Sequence, residues 1–203
     1  MPATVPDHDL EDEASYYQLD FRDLALPGRV AGSVEFEQCR FGNTDLSGTV
    51  LERSQFIDCI GEQSNVANLR ATRSGMRRVS FKGSRLTGLQ WADGVLRDVR
   101  FDDCRADLSS FRFTTFTSVV FTDCNLSRAD FTSSDLTGAL FVNCDLTGAQ
   151  FHQAKMRGAR FSRCTLAEIG GMTFFDGAII DSQDLIALSF TLASALGIEI
   201  STD

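Results

Sequence analysis

Six cysteines and two histidines are the residues of this chain that first ask for chemistry. Cys104, Cys124, Cys144 and Cys164 recur every 20 residues, and Cys39 and Cys59 share that interval. Four thiolates converging on one point would hold zinc, and a single thiolate beside a cation would be a nucleophile. A fixed interval of 20 argues for neither. If 20 residues make one turn of a coil, the sulfurs spread along a line at steps of ~4.8 Å. The 45 residues between Cys59 and Cys104 then move the later set to an adjacent side. Disulfides between coils suit the Cα spacing but not a reducing compartment. His8 and His152 leave few places for histidine acid–base or metal chemistry, and no pair of carboxylates is forced inward where burial would tune it. The expectation is a non-enzymatic chain with no catalytic residues, no metal and no cofactor.

The element that positions these residues is a five-residue register. From Phe21 to Leu166, one residue in five forms a column in which 26 of 30 are large and apolar. Thirteen of the 17 Phe fall in it, among them Phe101, Phe111, Phe121, Phe131, Phe141, Phe151 and Phe161. The column two residues earlier holds Ala, Cys, Ser, Thr, Val or Gly at 25 of 29 positions, all six cysteines included, with Arg29 its one charge. Thr44, Thr49, Ser54, Ser64 and Ser134 also stand there, so packing rather than nucleophilic attack is their expected role. Two inward and three outward positions per five match neither the helical nor the strand period. They suit a chain that turns a corner every repeat, four repeats closing one square coil and coils stacking as parallel ladders. Thirty repeats predict about 7.5 coils and ~36 Å of axis.

Length and composition agree with one soluble domain: 203 residues, 43% hydrophobic, 23% charged and three prolines exclude a disordered chain. No apolar run approaches the ~20 residues of a membrane span, and the acidic start lacks the basic-then-apolar order of a signal peptide. These features point to a cytoplasmic protein. The formal charge of −9 is concentrated at the ends. Residues 1–20 and 167–203 each carry six acids and no Lys or Arg, which leaves +3 for residues 21–166. The register strains at Gly61 to Ser80, where Gly61 and Ala71 put little into the core and Leu69 stands ready to fill the gap. Arg70, Arg73, Arg77 and Arg78 in that stretch read as a solvated face of a distorted coil.

The blocks Asp45-Leu46-Ser47-Gly48, Arg85-Leu86-Thr87-Gly88, Asp135-Leu136-Thr137-Gly138 and Asp145-Leu146-Thr147-Gly148, with Phe121-Thr122-Asp123-Cys124, resemble the pentapeptide-repeat family over residues 21–166. That resemblance implies an all-β solenoid, a right-handed quadrilateral β-helix, flanked by an acidic N-terminal segment or cap (1–20) and a C-terminal helical cap and dimerisation module (167–203).

After Leu166 the phase dissolves, and residues 181–197 read as a helix capped by Asp181 or Ser182, with Asp184 suiting its N-terminal end and Gly197 its stop. Its apolar residues cover more than one stripe, so one face is expected to dock on the rod and another on a second copy. Such a module is similar to that of the gyrase-protecting pentapeptide-repeat proteins, the Qnr and MfpA groups, and most nearly to the loop-free MfpA group. The resemblance implies a homodimer contact at Ile179, Ile180, Leu185, Leu188, Phe190 and Leu192. It also implies DNA gyrase or topoisomerase IV as a partner, met as a DNA mimic, with protection from fluoroquinolones or natural poisons and without direct nucleic-acid or membrane binding. Duplex DNA carries one charge per ~1.7 Å, whereas the repeat region nets +3, so mimicry would be local. Asp93, Asp98, Asp102, Asp103, Asp107 and Asp123 are its candidates, interrupted by Arg97, Arg100 and Arg105. The alternative is a structural or regulatory scaffold for another protein, which a surface without a continuous acidic strip favours.

Overall fold

The computed structural model describes residues 1–4 and 7–199; Asp203, one of the terminal acids, lies outside them. Every fifth residue from Glu13 to Glu168 has a φ between +49° and +73°, and each of these left-handed residues turns one corner. Four corners close a coil of 20 residues. Backbone amides of one coil bond to carbonyls of the next, as Arg40 N–H donates to Leu19 C=O at 2.9 Å and Phe21 N–H to Arg40 C=O at 2.8 Å. Buried peptide groups are thereby satisfied without any long strand.

Three sides of the square are ladders of three-residue parallel strands. The first side runs from Arg40–Gly42 to Ile179–Ile180 in eight strands, the third from Val30–Gly32 to Gln90–Ala92 in four, and the fourth from Ser15–Tyr17 to Thr115–Thr117 in six. The second side, centred on Leu26, Leu46 and their successors to Leu166, has single bridges only, such as Asp45↔Asn65 and Asn125↔Asp145. The sequence explains this difference. On that side Asp45, Asn65, Asn125 and Asp145 each accept the amide two residues on, at 2.9–3.2 Å, which makes an Asx turn and tightens the side. Strands on the first side begin instead with residues such as Ile60, Val120 and Leu140, which favour extension.

The large column fills the interior. Phe101, Phe121, Phe141 and Phe161 stack at 4.7–5.2 Å with rings within 7° of parallel, and Phe111, Phe131 and Phe151 stack alongside at 5.2–5.4 Å. Most of the small column is buried, and its hydroxyls bond to backbone carbonyls except that of Ser109, which has no partner among the described residues. Thr44 and Thr49 donate to the carbonyls of Phe21 and Leu26 one coil back, at 2.8 and 3.0 Å. Ser64 donates to Phe41 C=O, Ser54 to Glu52 C=O and Ser134 to Phe131 C=O.

The coil keeps its 20-residue step through the strained stretch: Phe41, Gly61 and Phe81 are ladder partners in turn. The Phe81 ring leans into the space Gly61 leaves, so that a Cβ there would lie 2.6 Å from Phe81 Cδ1. Leu69 and Leu89 are buried beside Trp91, and a void of about 20 Å³ remains between them.

Both ends of the rod depart from the expected boundaries. Ser15–Tyr17 already pairs with Glu35–Glu37, so the coil begins before Phe21, and the cap proper is shorter than residues 1–20. Ala3 and Leu10 close the mouth, and Arg29, the misfit of the small column, reaches Asp9 at 2.7 Å. At the other end the coil continues past Leu166. Phe175 stacks on Phe161 at 5.6 Å, and Ile179–Ile180 pairs with Arg160–Ser162 after a step of 19 rather than 20. The helix, α1 (Leu185–Ala195), is shorter than 181–197, and its N-cap is Asp184. No side-chain bond from Asp184 caps it. The carboxylate of Asp184 instead accepts Cys164 N–H at 3.0 Å, the part the Ser54 and Ser74 hydroxyls play for the amides of Val34 and Ser54 in earlier coils.

Candidate partner-binding surfaces

The thiols run along two lines. Cys39 and Cys59 lead into the first side, and Cys104, Cys124, Cys144 and Cys164 lead into the second. All six are free and buried, and each points at the carbonyl 23 residues back, as Cys124 Sγ does to Phe101 C=O at 3.5 Å and Cys164 Sγ to Phe141 C=O at 3.4 Å. Contact with Cys124 and then burial push the Cys104 thiol far above its ordinary value, and contact with Cys39 and then burial do the same to Cys59. Thiols held protonated in this way are neither nucleophiles nor ready ligands; Cys39 and Cys164, which contact with Cys59 and Cys144 shifts downward instead, are buried. Among the described residues no three His, Cys, Asp or Glu side chains gather as a metal site.

The six candidate aspartates do not form one strip. Asp93, Asp98 and Asp103 all have positive φ, at 52°, 55° and 50°, so each stands at a corner. They are five residues apart, and each five-residue step turns the chain to the next side, which carries the three around the rod instead of along it. Asp102, Asp103 and Asp123 share the edge between the first and second sides, where the Asp123 carboxylate accepts the Asn143 amide. Asp107 lies on the second side, with the Thr87 hydroxyl donating to it at 2.8 Å. Asp98 stands one rung beyond Arg78, whose guanidinium is already bidentate on Asp58 at 2.5 and 2.6 Å. That hydrogen bond holds the Asp58 carboxyl below its ordinary range. The four arginines of the strained stretch are likewise split, with Arg70 on the third side, Arg77 on the fourth and Arg73 and Arg78 at corners.

The expected dimer residues are also divided. Leu188 is 1% exposed and packs inside the chain on the last coil, so it is not at the surface and drops out of the proposed contact. Ile180 and Leu192 are half-buried against the same core. Ile179, Leu185 and Phe190 are exposed, Phe190 to 67%, and Leu196 and Ile198 beyond the helix join them. A helix of sequence LIALSFTLASA, with no charge, thus docks one face and leaves another open. Further exposed apolar residues stand in outward phases, Leu108 and Phe113 at corners and Tyr17, Val30 and Val95 on the sides. Their signal was there, since Phe113 is one of the few Phe out of register.

Comparison with known proteins places this architecture. The family model described as Pentapeptide repeats matches residues 95–132 and 124–163, and that described as Pentapeptide repeat region matches residues 32–111. The chain is a pentapeptide-repeat protein. Among solved structures this pentapeptide-repeat protein is similar to a trypsin-treated form of QnrB1, described as a plasmid-mediated fluoroquinolone resistance protein, at 19% identity over 96% of this chain and 100% of that one, with a TM-score of 0.48. It is also similar to HetL from the cyanobacterium Nostoc sp. strain PCC 7120, described as involved in heterocyst differentiation regulation, at 14% identity over 83% and 87% of the two chains, with a TM-score of 0.36. No curated protein matches the pentapeptide-repeat chain in sequence. Among the described residues no helix is long and apolar enough to cross a membrane.

Proposed function

We propose that the protein is a non-enzymatic, dimeric rod that binds DNA gyrase or topoisomerase IV and modulates it or shields it from fluoroquinolones or natural poisons. The observation that supports the dimer is α1, which buries Leu188 on the rod and leaves Leu185 and Phe190 exposed on an uncharged helix. A self-complementary apolar face of this kind is what a two-fold contact uses. The target follows from the resemblance of the repeat and its C-terminal module to the gyrase-protecting groups. Phe190→Asp is expected to leave the coils folded and halve the mass measured by light scattering; an unchanged mass would remove the dimer from this reading.

The deciding experiment titrates the protein into gyrase supercoiling and cleavage assays with and without a fluoroquinolone. Inhibited supercoiling or reduced drug-stabilised cleavage supports the reading, and no effect at high micromolar concentration overturns it. A second reading, a scaffold for another protein, is favoured by one observation: Asp93 and Asp98 stand on corners apart from the edge shared by Asp102, Asp103 and Asp123, so charge mimicry of a duplex has no continuous strip of all six to work with.

A further inference from the structure

The rod is segmented in charge. Residues 63–112 hold ten Lys or Arg against five Asp, a net of +5, while the rest of the chain nets −14. Within this basic belt the fourth side carries two arginines on consecutive rungs, because Arg77 and Arg97 are ladder partners. Both are exposed, and among the described residues neither is in an ion pair. Like charges directly opposite each other in a ladder are destabilising. Glu37, Ile57 and Thr117 fill the same column on the neighbouring rungs, so the coil itself does not require arginine there.

The two arginines border a hollow of about 290 Å³, whose other lining residues are Gln55, Ile57, Gly75, Met76 and Val95. The hollow exists because Gly75 interrupts the column of Gln55 and Val95, and the Gln55 carboxamide leans into the place a Cβ would take. Its walls are apolar at Ile57, Val95 and Met76, and its polar groups are the two guanidiniums and the Gln55 amide. The nearest carboxylates stand on the flanking corners and are matched there. One corner carries Arg53, Arg73 and Asp93 on successive rungs and the other Asp58, Arg78 and Asp98. The two corners together are neutral, and the face between them keeps two positive charges with no acid on these three rungs. Asp58 is bidentate on Arg78, and the charge of Asp98 acts on the same guanidinium. Glu37 lies two rungs from Arg77, ~9.6 Å by the strand spacing and about one Debye length.

We propose that the hollow on the fourth side binds a small organic phosphate, its phosphoryl group between Arg77 and Arg97 and its apolar body on Ile57, Val95 and Met76. A guanidinium presents paired N–H donors that match phosphoryl oxygens, and a rung step of ~4.8 Å lets two of them straddle one group. The Gln55 amide supplies a further donor at the rim. A bound dianion turns the repulsion between the two arginines into shared attraction, which no side chain of the ladder supplies. The volume lies at the lower end of small-ligand sites, ~300–1,000 Å³, and an apolar lining with a few convergent polar groups is their usual composition. The site goes beyond the topoisomerase reading and does not depend on it.

The test titrates the full chain with phenyl phosphate, inorganic phosphate and benzoate, read by calorimetry and by the backbone amide shifts of Gln55, Gly75 and Val95. Phenyl phosphate is expected to shift those amides and to bind about ten-fold tighter than either of the others, since one lacks the apolar body and the other the second charge. Arg77→Gln with Arg97→Gln is expected to weaken phenyl phosphate by about ten-fold or more, while the melting temperature stays level or rises because a like-charge pair has been removed. The control, Arg70→Gln with Arg85→Gln on the third and second sides, makes the same change in net charge and is expected to bind like the wild type. No binding of millimolar phenyl phosphate, or equal binding by the Arg77 and Arg97 variant, overturns the site. Equal weakening by the control overturns it as well, because the attraction would then belong to the net charge of the belt. Inorganic phosphate or benzoate binding as tightly as phenyl phosphate overturns the ligand class. The gyrase titration is unaffected by any of these outcomes, so the two readings fail separately.

Discussion

The rod contains two blocks of stacked rings that differ in what joins them. In the N-terminal block Tyr16, Phe36 and Phe56 stack at 5.1 and 4.7 Å and Phe21 on Phe41 at 5.1 Å. In the C-terminal block the stacks run from Phe81 to Phe175 on one side and from Phe111 to Phe151 on the opposite one. The coil between them presents Gly61, Val66, Ala71 and Met76 and contributes no ring to the core. Among the described residues only the tilted ring pair Phe56–Trp91, at 6.0 Å, bridges the gap. Yet the ladders cross it in register, with Gln55, Gly75 and Val95 partners in turn. Backbone bonding therefore sets the register, and the core sets how firmly each level is held.

The largest expected effect tests the firm block. Phe121 lies between Phe101 and Phe141 at 4.7 and 5.2 Å and is fully buried. Phe121→Ala should cost ~3–5 kcal/mol in urea unfolding, the range for emptying a packed aromatic site. A cost near 1 kcal/mol would mean that the stack relaxes into the hole and that the two blocks are not distinct in stiffness.

Next comes the seam. Gly61→Ala puts a Cβ 2.6 Å from the Phe81 ring, which must then withdraw toward Phe101. Overpacking of this order costs ~1–3 kcal/mol, even though Ala is the better strand residue. Should the variant prove as stable as the wild type, the nearby void of about 20 Å³ has absorbed the displaced ring, and the seam is soft enough to be filled by design.

How much of this was legible in the sequence follows from where the period reaches. The fold, its parallel coils and the inward thiols were readable because a period of five acts on every residue from Phe21 to Leu166. The helix length and the role of Asp184 were not, because the terminal coil takes a 19-residue step that moves the cap. The placement of Asp93, Asp98 and Asp103 on different sides was implicit in their spacing of five, since every repeat turns a corner. Grouping them as a patch read them as neighbours along a line. Leu108 and Phe113 required a corner geometry that column composition alone does not reveal. The division of α1 into a docked Leu188 and an exposed Phe190 required the packed structure, because the helix is apolar all round.

The end of the C-terminal block offers a smaller effect. The Asp184 carboxylate satisfies the buried amide of Cys164, which otherwise faces the end of the rod without a partner. Asp184→Ala should cost about 1–2 kcal/mol, as for an unmet buried donor, with the loss of amide-exchange protection concentrated near Cys164 rather than spread over both blocks. Uniform loss would show that the blocks unfold as one unit and that the seam does not divide them.

The smallest effect concerns the ion pair that crosses the seam. Asp58 closes the N-terminal block and Arg78 belongs to the ring-free coil; they meet at 2.5 Å on the surface. The pairing hydrogen bond lowers the Asp58 pKa in the folded state. A carboxyl with a lowered folded pKa contributes stability that is present above its unfolded value, ~3.9 for Asp, and that is lost as pH falls through the folded value. Arg78→Met should thus lower the melting temperature slightly at pH 7, and the gap from the wild type should close as pH drops below ~4. Both partners are exposed, so salt should shrink the gap at neutral pH as well. A gap that persists at low pH and high salt would assign the role of Arg78 to packing of its stem along Val79 and Ile60, and the seam would then be held by apolar contact and ladder bonds alone.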